Sequence, residues 1–288
     1  MSAVPKLKAA GEPSFAVAFG GGGARGLAHI HVIEALDDLG IRPVSIAGSS
    51  IGAIMGAGMA AGMSGREIHD YARSILSHRS EVASRMWRAR PGTWGEVMRD
   101  GLRVTQFNVE RILKAFLPEA IPETFAELDI PLKVTATDFY GHELTVLGDG
   151  DLHSALAASA AIPAVFRPVR RDGRLLIDGG IYNPVPFDLL QGEADIVIAI
   201  DVIGGPNEIG RTPNSIDLMF GASQLMMQSI VANKLVQRPP DILLRPPVSA
   251  YRALDFLKID AVMSATFSIK DELKRAVEKA LRTRRLAE

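Results

Sequence analysis

The chain has 288 residues, a formal net charge of −1, 47% hydrophobic and 23% charged residues, and no cysteine. A chain of this length forms one large domain or two small ones and buries roughly 75% of its unfolded surface, so it needs no disulfide or metal staple. The composition is that of an ordinary globular protein and the charge excludes an overall basic field for nucleic acid. The missing cysteine excludes disulfides, thiolate zinc sites and a thiol nucleophile, in keeping with a reducing, cytoplasmic setting.

Residues 1–12 read as an N-terminal tail, with lysines but no apolar run after them, and so not as a signal peptide. The remainder, 13–288, reads as a single domain. SFAVAF (14–19) predicts a buried strand that runs into four glycines, and AHIHVIEALDDLG (28–40) predicts a helix closed by Gly40. PVSIAG (43–48) predicts a second strand, followed by a tight turn and the small-residue helix IGAIMGAGMAAG (51–62). The uncharged run Val44–Ser64 mimics a membrane span, but its five glycines and four serines leave few large side chains and argue against one.

Ser64 and Glu67 form a capping box for a helix with Ile68, Ala72, Ile75 and Leu76 on its apolar face. Residues 79–107, with both tryptophans and several arginines broken by Pro91 and Gly92, have two readings: a surface excursion, or a cap or membrane-facing flap. Asn108 caps VERILKAFL. Further strands are expected at 132–139, 144–148, 175–180, 195–202 and 241–246. The chain closes in an amphipathic helix (268–288) with Ile269, Leu273, Val277 and Ala280 on one face, its basic tail read as a solvated helix end. Short apolar runs alternating with amphipathic helices point to α/β layering.

Two strand-to-helix turns carry the chemistry. The first, GGGGARGL (20–27), fits a dinucleotide fingerprint as letters through Gly21, Gly23 and Gly26, yet no acidic residue ends the second strand to hold a ribose. A phosphate-binding Walker loop fails because Leu27 stands where lysine is needed. The preferred reading is an oxyanion hole, with consecutive glycine amides at a helix start and Arg25 beside them. The second turn, AGSSIGAI (47–54), flanks Ser50 with Gly48 and Gly52, the pattern of a nucleophile elbow, while Ser49 lacks those flanks and reads as structural.

The base is harder to place. The histidines are His29, His31, His69, His78, His142 and His153, so none follows residue 153. Asp138 with His142 or His153 supplies a Ser–acid–His order, but these residues sit close together in one apparent hairpin, and His29 and His31 read as packing or surface residues. Asp178, in LLIDGGIYNPVP, ends an apolar strand and is followed by Gly179 and Gly180, where an α/β sheet presents groups to a ligand.

The glycine loop, the Gly-x-Ser-x-Gly elbow and the Asp-Gly-Gly turn, in this order, together with SAAIPAVFRP (159–168), resemble the patatin-like phospholipases, particularly short bacterial members related to the neuropathy target esterase domain. The resemblance covers about residues 14–205. It implies a three-layer α/β/α fold with a central, mostly parallel sheet, and a Ser–Asp dyad without histidine. Ser50 is then the nucleophile, Asp178 the base, and Gly22 and Gly23 amides with Arg25 the oxyanion hole, with no metal and no cofactor. It further implies a lipid or acyl-ester substrate, a (lyso)phospholipid by class, and peripheral membrane contact. Nothing in the sequence sets the oligomeric state. A general carboxylesterase or thioesterase shares these residues, and a non-catalytic lipid- or nucleotide-binding regulator is the rival from another class. An aspartate base starts roughly 3.5 kcal/mol behind histidine in proton affinity. Asp178 is therefore expected in a dry pocket, lined by residues such as Ile181 and Pro163, that raises its pKa.

Overall fold

In the computed structural model, residues 13–88, 107–206 and 212–286 are described. Among the described residues eight strands form one sheet: β1 (Phe15–Phe19), β2 (Ser45–Ser49), β3 (Leu132–Asp138), β4 (Glu143–Leu147), β5 (Val169–Arg171), β6 (Arg174–Asp178), β7 (Ile196–Ile200) and β8 (Ile242–Leu244). The path across it is β5-β6-β3-β2-β1-β7-β8, with β4 also paired to β3. Pairs β1–β2, β1–β7, β2–β3 and β7–β8 are parallel, whereas β3–β4, β3–β6 and β5–β6 are antiparallel. The sheet is mostly parallel, as expected.

Alternation along the buried strands separates two cores. Phe15, Val17 and Phe19 of β1 and Ile196, Ile198 and Ile200 of β7 face the larger one. It is filled by the helices α1 (His29–Asp38), α2 (Ile51–Ala60), α3 (Gly65–Leu76), α5 (Val109–Phe116), α6 (Leu152–Ser159), α8 (Ile259–Thr266) and α9 (Ile269–Arg285). The short helix α4 (Arg79–Arg88) lies beside α3 and α5. On the other face Ala16, Ala18, Val197 and Ala199 leave room for Phe187, Leu190 and Val231. Val231 belongs to α7 (Ser215–Gln237), whose C-terminal half is held where Lys234 Nζ donates to the Val185 carbonyl at 2.7 Å and lies 4.5 Å from the Phe187 ring centre. The three layers are thus unequal in depth.

The expected caps are present. Ser64 and Glu67 close a reciprocal capping box on α3, and Asn108 accepts the Arg111 amide at 3.0 Å. Strand β5, with three residues, and helices α6, α7 and α8 were not foreseen. The basic tail of α9 is more than a solvated end, because Arg284 donates to both the carbonyl and the carboxylate of Asp195 at 2.8 Å. Of the segment 79–107, α4 has Trp87 exposed and Arg85 bound to Glu81 and to the Ala115 carbonyl, while 89–106 lie outside the described residues. Phe107 rejoins beside Val165 and Arg167 through backbone hydrogen bonds of 3.1 and 2.9 Å.

The pairing of β3 brings two strand ends together. Thr135 of β3 pairs with Ser49 on one edge and with Val146 on the other; the next residue, Ala136, pairs with Thr145 on that second edge and with Asp178 on the first. Strands β2 and β6 therefore run toward each other along the same edge of β3 and end nose to nose.

Candidate active site

Ser50 follows directly on β2 and opens α2, at φ 53° and ψ −124°. A side chain held there costs about 1–3 kcal/mol and persists only where the surroundings dictate it. Here they do. A Cβ on Gly52 would lie 2.2 Å from the Phe19 carbonyl oxygen, and one on Gly48 2.4 Å from the Ala53 Cα, so the turn closes tightly against β1 only with hydrogen at both flanks. The Ser50 carbonyl accepts the Ala53 amide at 2.9 Å, which starts the helix, and the Ser50 amide donates to the buried Ser159 hydroxyl at 2.7 Å.

Asp178, at the end of β6, is 8% exposed. Its carboxylate accepts the Gly180 amide at 2.7 Å, and the neighbouring Ser50 hydroxyl favours its charged form. Its backbone is fixed on both sides, the amide donating to Ala161 at 3.1 Å and the carbonyl accepting from Thr137 Oγ1 at 2.9 Å. Burial pushes the carboxyl up to about 6, against the Gly180 amide and the Ser50 hydroxyl, which pull it down. Gly179 abuts Thr135 so closely that a Cβ would meet its carbonyl oxygen at 2.2 Å. The dry surroundings come from Thr137, Ala161 and the glycines. Ile181 and Pro163, expected to line the pocket, are instead solvent-exposed, since the turn after Gly180 carries the chain outward.

The glycine loop lies over the serine, with a Cβ on Gly21 placed 3.4 Å from Ser50 Cβ. Two of its amides are used structurally: Gly20 donates to Ile200 at 2.9 Å and Gly21 to Pro184 at 2.8 Å. The amides of Gly22 and Gly23 have no partner among the described residues. Gly23 adopts φ +60°, and a Cβ there would sit 2.1 Å from the Ala253 carbonyl oxygen. Gly26 packs directly on the Ile51 side chain.

Arg25 does not aim its guanidinium at the free amides. It is 2% exposed, and its Nε donates to the Gly22 carbonyl at 3.1 Å. In a trans peptide the C=O and N–H point in opposite directions. The bond therefore fixes the Gly22–Gly23 peptide plane and turns the Gly23 N–H away from the guanidinium. Burial lowers the Arg25 pKa to about 10, opposed by the charge of Asp201, so the side chain stays cationic at neutral pH.

The histidines stand elsewhere. His29 is wholly buried, donates Nε2–H to the Gly20 carbonyl at 2.8 Å, and is driven down to about 4 by burial, which keeps it neutral. His31 is held by Glu34 and the Met263 carbonyl, and His153 by the Ile121 carbonyl. His142 sits in the β3–β4 turn at φ 54°. Asp138 caps that same turn by accepting the Tyr140 and Gly141 amides at 3.2 and 2.9 Å. Among the described residues no cluster of His, Asp or Glu forms a metal cage.

Sequence reasoning missed three contributors. Ser159 lay inside the block SAAIPAVFRP but carried no sign that its hydroxyl meets Ser50. Met227 of α7, whose sulfur lies 3.2 Å from where a Gly180 Cβ would be, gave no local signal at all. Ser49, read as structural, is fully buried, and its hydroxyl, near Gly21 and Gly180, has no hydrogen-bond partner among the described residues. Ser159→Ala strands the buried Ser50 amide and is expected to destabilise the fold by about 1–3 kcal/mol. Urea unfolding checks this, and an unchanged midpoint shows that the bond contributes nothing.

The arrangement brings a strained serine, a buried carboxylate of raised pKa and two free amides to one spot, the elements of acyl transfer. Comparison with known proteins gives an independent result. The family model described as patatin-like phospholipase matches residues 17–190. An uncharacterized NTE family protein of Mycobacterium tuberculosis is 36% identical over 200 residues, 69% of this chain and 52% of the relative. Patatin-like phospholipase domain-containing protein 7 of Mus musculus is 28% identical over 286 residues, 86% of this chain and 20% of the relative. Lysophospholipase nte1 of Aspergillus niger is 26% identical over 282 residues, 86% of this chain and 17% of the relative. The chain spans about half the length of the mycobacterial relative, and less of the other two.

Proposed function

The chain belongs to the patatin-like phospholipase family, and from that premise we propose that it hydrolyses lipid acyl esters through an acyl-Ser50 intermediate, with Asp178 as the base. The observation that carries the reading is the register that sets the end of β2, and Ser50 directly after it, against the end of β6, where Asp178 is a buried carboxylate whose pKa is raised to about 6. That shift recovers about 3 of the roughly 3.5 kcal/mol by which aspartate trails histidine as a base.

The proposed steps use the groups that the fold brings together. Asp178 takes the Ser50 proton as Oγ attacks the ester carbonyl carbon, and the Gly22 and Gly23 amides receive the oxyanion. Collapse breaks the bond to the alcohol, which departs with the proton from Asp178, while the acyl group stays on Ser50 Oγ. Water then gives a proton to Asp178 and attacks the acyl carbon. Collapse frees the fatty acid and returns the proton to Ser50. Arg25 acts on this cycle through the loop, by holding the peptide that carries the Gly23 amide.

The substrate class proposed is a lysophospholipid or related single-chain lipid, supported by the similarity to the lysophospholipase of Aspergillus niger. Wild-type protein is expected to release fatty acid from lysophosphatidylcholine, to hydrolyse p-nitrophenyl esters faster as the acyl chain lengthens, and to label with a fluorophosphonate probe. Labelling without lipid turnover and with preference for acyl thioesters supports the thioesterase reading instead; neither labelling nor turnover overturns the enzyme.

A further inference from the structure

Helix α7 is apolar on both of its sides. Its inner side sets Val231, with Met227 and Leu235, on the second core, and polar side chains anchor it: Gln224 donates to the Ile203 carbonyl at 3.2 Å, Gln228 to the Gly204 carbonyl at 2.7 Å, and Lys234 reaches Val185. Its outer side carries Leu218 at 59%, Met219 at 47%, Leu225 at 55% and Met226 at 63% exposure. Ala222, Ser229 and Ala232 are exposed along the same stripe. Between Asp217 and Lys234 no residue is charged. Solvated helix faces are built from charged and polar residues, so an uncharged, Met- and Leu-rich outer stripe is a surface waiting for an apolar phase.

The stripe adjoins the site described above. Met227, on the next turn-face of α7, packs on Gly180, two residues from Asp178. Gly204, whose carbonyl Gln228 grips, is pressed against the Arg25 guanidinium, with its Cβ position 2.8 Å from Nη1. One side of the helix therefore walls the site while the other faces outward. The stripe is also small. Its four large side chains expose on the order of 450 Å², short of the roughly 800 Å² per partner that a stable dimer buries. Shallow insertion of one helix face into the headgroup boundary needs no more than that. Among the described residues no helix is long and apolar enough to cross a membrane, so the helix would lie on a bilayer and not through it.

We propose that the outer face of α7 is a membrane-docking surface, with Leu218, Met219, Leu225 and Met226 entering the acyl boundary of a phospholipid bilayer beside the Ser50–Asp178 site. The inference rests on the lipid-ester reading for its consequence, and on the exposed stripe and its contact with Gly180 for its geometry. A bilayer seated there delivers a single-chain lipid to the serine without carrying the chain through water.

The test uses the 288-residue chain carrying Ser50→Ala, so that vesicles stay intact, and sedimentation with phosphatidylcholine vesicles containing one-fifth anionic lipid. Leu225→Asp with Met226→Asp is expected to lower the vesicle-bound fraction at least tenfold. Val146→Asp, on the exposed face of β4, is expected to leave it unchanged. In the Ser50 background the double variant is expected to lose at least tenfold on vesicle-embedded lysophospholipid but stay within twofold on dissolved p-nitrophenyl butyrate. Leu225→Gln with Met226→Gln carries the test should the charged pair not fold. Vesicle binding unaffected by either pair overturns the proposal. So does a dimer in sedimentation velocity that the pair dissociates without any vesicle binding. If the wild type docks through α7 yet cleaves no ester, the enzymatic reading falls and the docking surface stands. If it cleaves dissolved ester but α7 is neutral, the reverse holds.

Discussion

Replacing Asp178 by asparagine is expected to give a protein that is more stable than the wild type at pH 7 and nearly inactive. The stability follows from the pKa. Burial raises this carboxyl from its ordinary 3.8 to about 6, so the folded protein prefers it protonated. Between about pH 4 and 6 the folded state holds a proton that the unfolded chain has released, and stability falls as pH rises through that window. At pH 7 the full difference, about 3 kcal/mol, weighs against folding. Asparagine has no charge to desolvate. Its Oδ1 still accepts the Gly180 amide and its Nδ2 faces the Ser50 hydroxyl, so the gain should appear as a melting temperature several degrees higher. The activity is lost for the same reason: with no proton acceptor, the rate is expected to fall roughly 10²–10⁴-fold. Ser50→Ala should abolish both turnover and fluorophosphonate labelling. The wild-type kcat/KM is expected to rise with pH through about 6 and then level off, because the deprotonated carboxyl is the active form. A profile with its inflection near 4, or an Asp178→Asn variant with near-normal rates, removes Asp178 from the base role.

Gly23→Ala carries the second large effect. The new methyl meets the Ala253 carbonyl oxygen at 2.1 Å, and the φ of +60° strains any L side chain. The carbonyl has nowhere to retreat, since it already accepts the Ala24 amide at 2.7 Å. The loop must move, taking with it a free amide, and a lost oxyanion donor lowers kcat about 10²–10³-fold. Gly40→Ala separates strain from displacement. Gly40 has φ +65° but nothing within 4 Å of its Cβ position, so it is expected to lose only about 1–2 kcal/mol of stability and no activity. Equal activities for the two alanine variants would show that the Gly22–Gly23 segment does not take part.

What was legible in the sequence was local. A strand needs a few β-branched or small apolar residues, a sharp turn needs glycine, a capping box needs Ser64 and Glu67 three apart, and each of these is decided within a few residues. That is why the glycine loop, the Ser50 elbow, the strand end at Asp178 and the capped helices were placed correctly along the chain. The expectation of a dry Asp178 held for its burial but failed for its named neighbours, Ile181 and Pro163. Burial follows from the strand end, but the direction of the chain after Gly180 does not. Strand β5 was missed because three residues give no period to read, and α7 because its outer face is apolar, so no amphipathic stripe marks it.

The sequence alone determined that a serine and an aspartate each stand at the end of a strand, 128 positions apart, with small residues around them. Only the tertiary structure decided that they meet. The meeting depends on β3 carrying β2 and then β6 on one edge, Thr135 beside Ser49 and Ala136 beside Asp178. That register comes from long-range pairing and from packing on α6, whose Ser159 takes the Ser50 amide. The raised pKa has the same origin, since desolvation belongs to the enclosure that distant segments build around a carboxyl, and no stretch of sequence contains it.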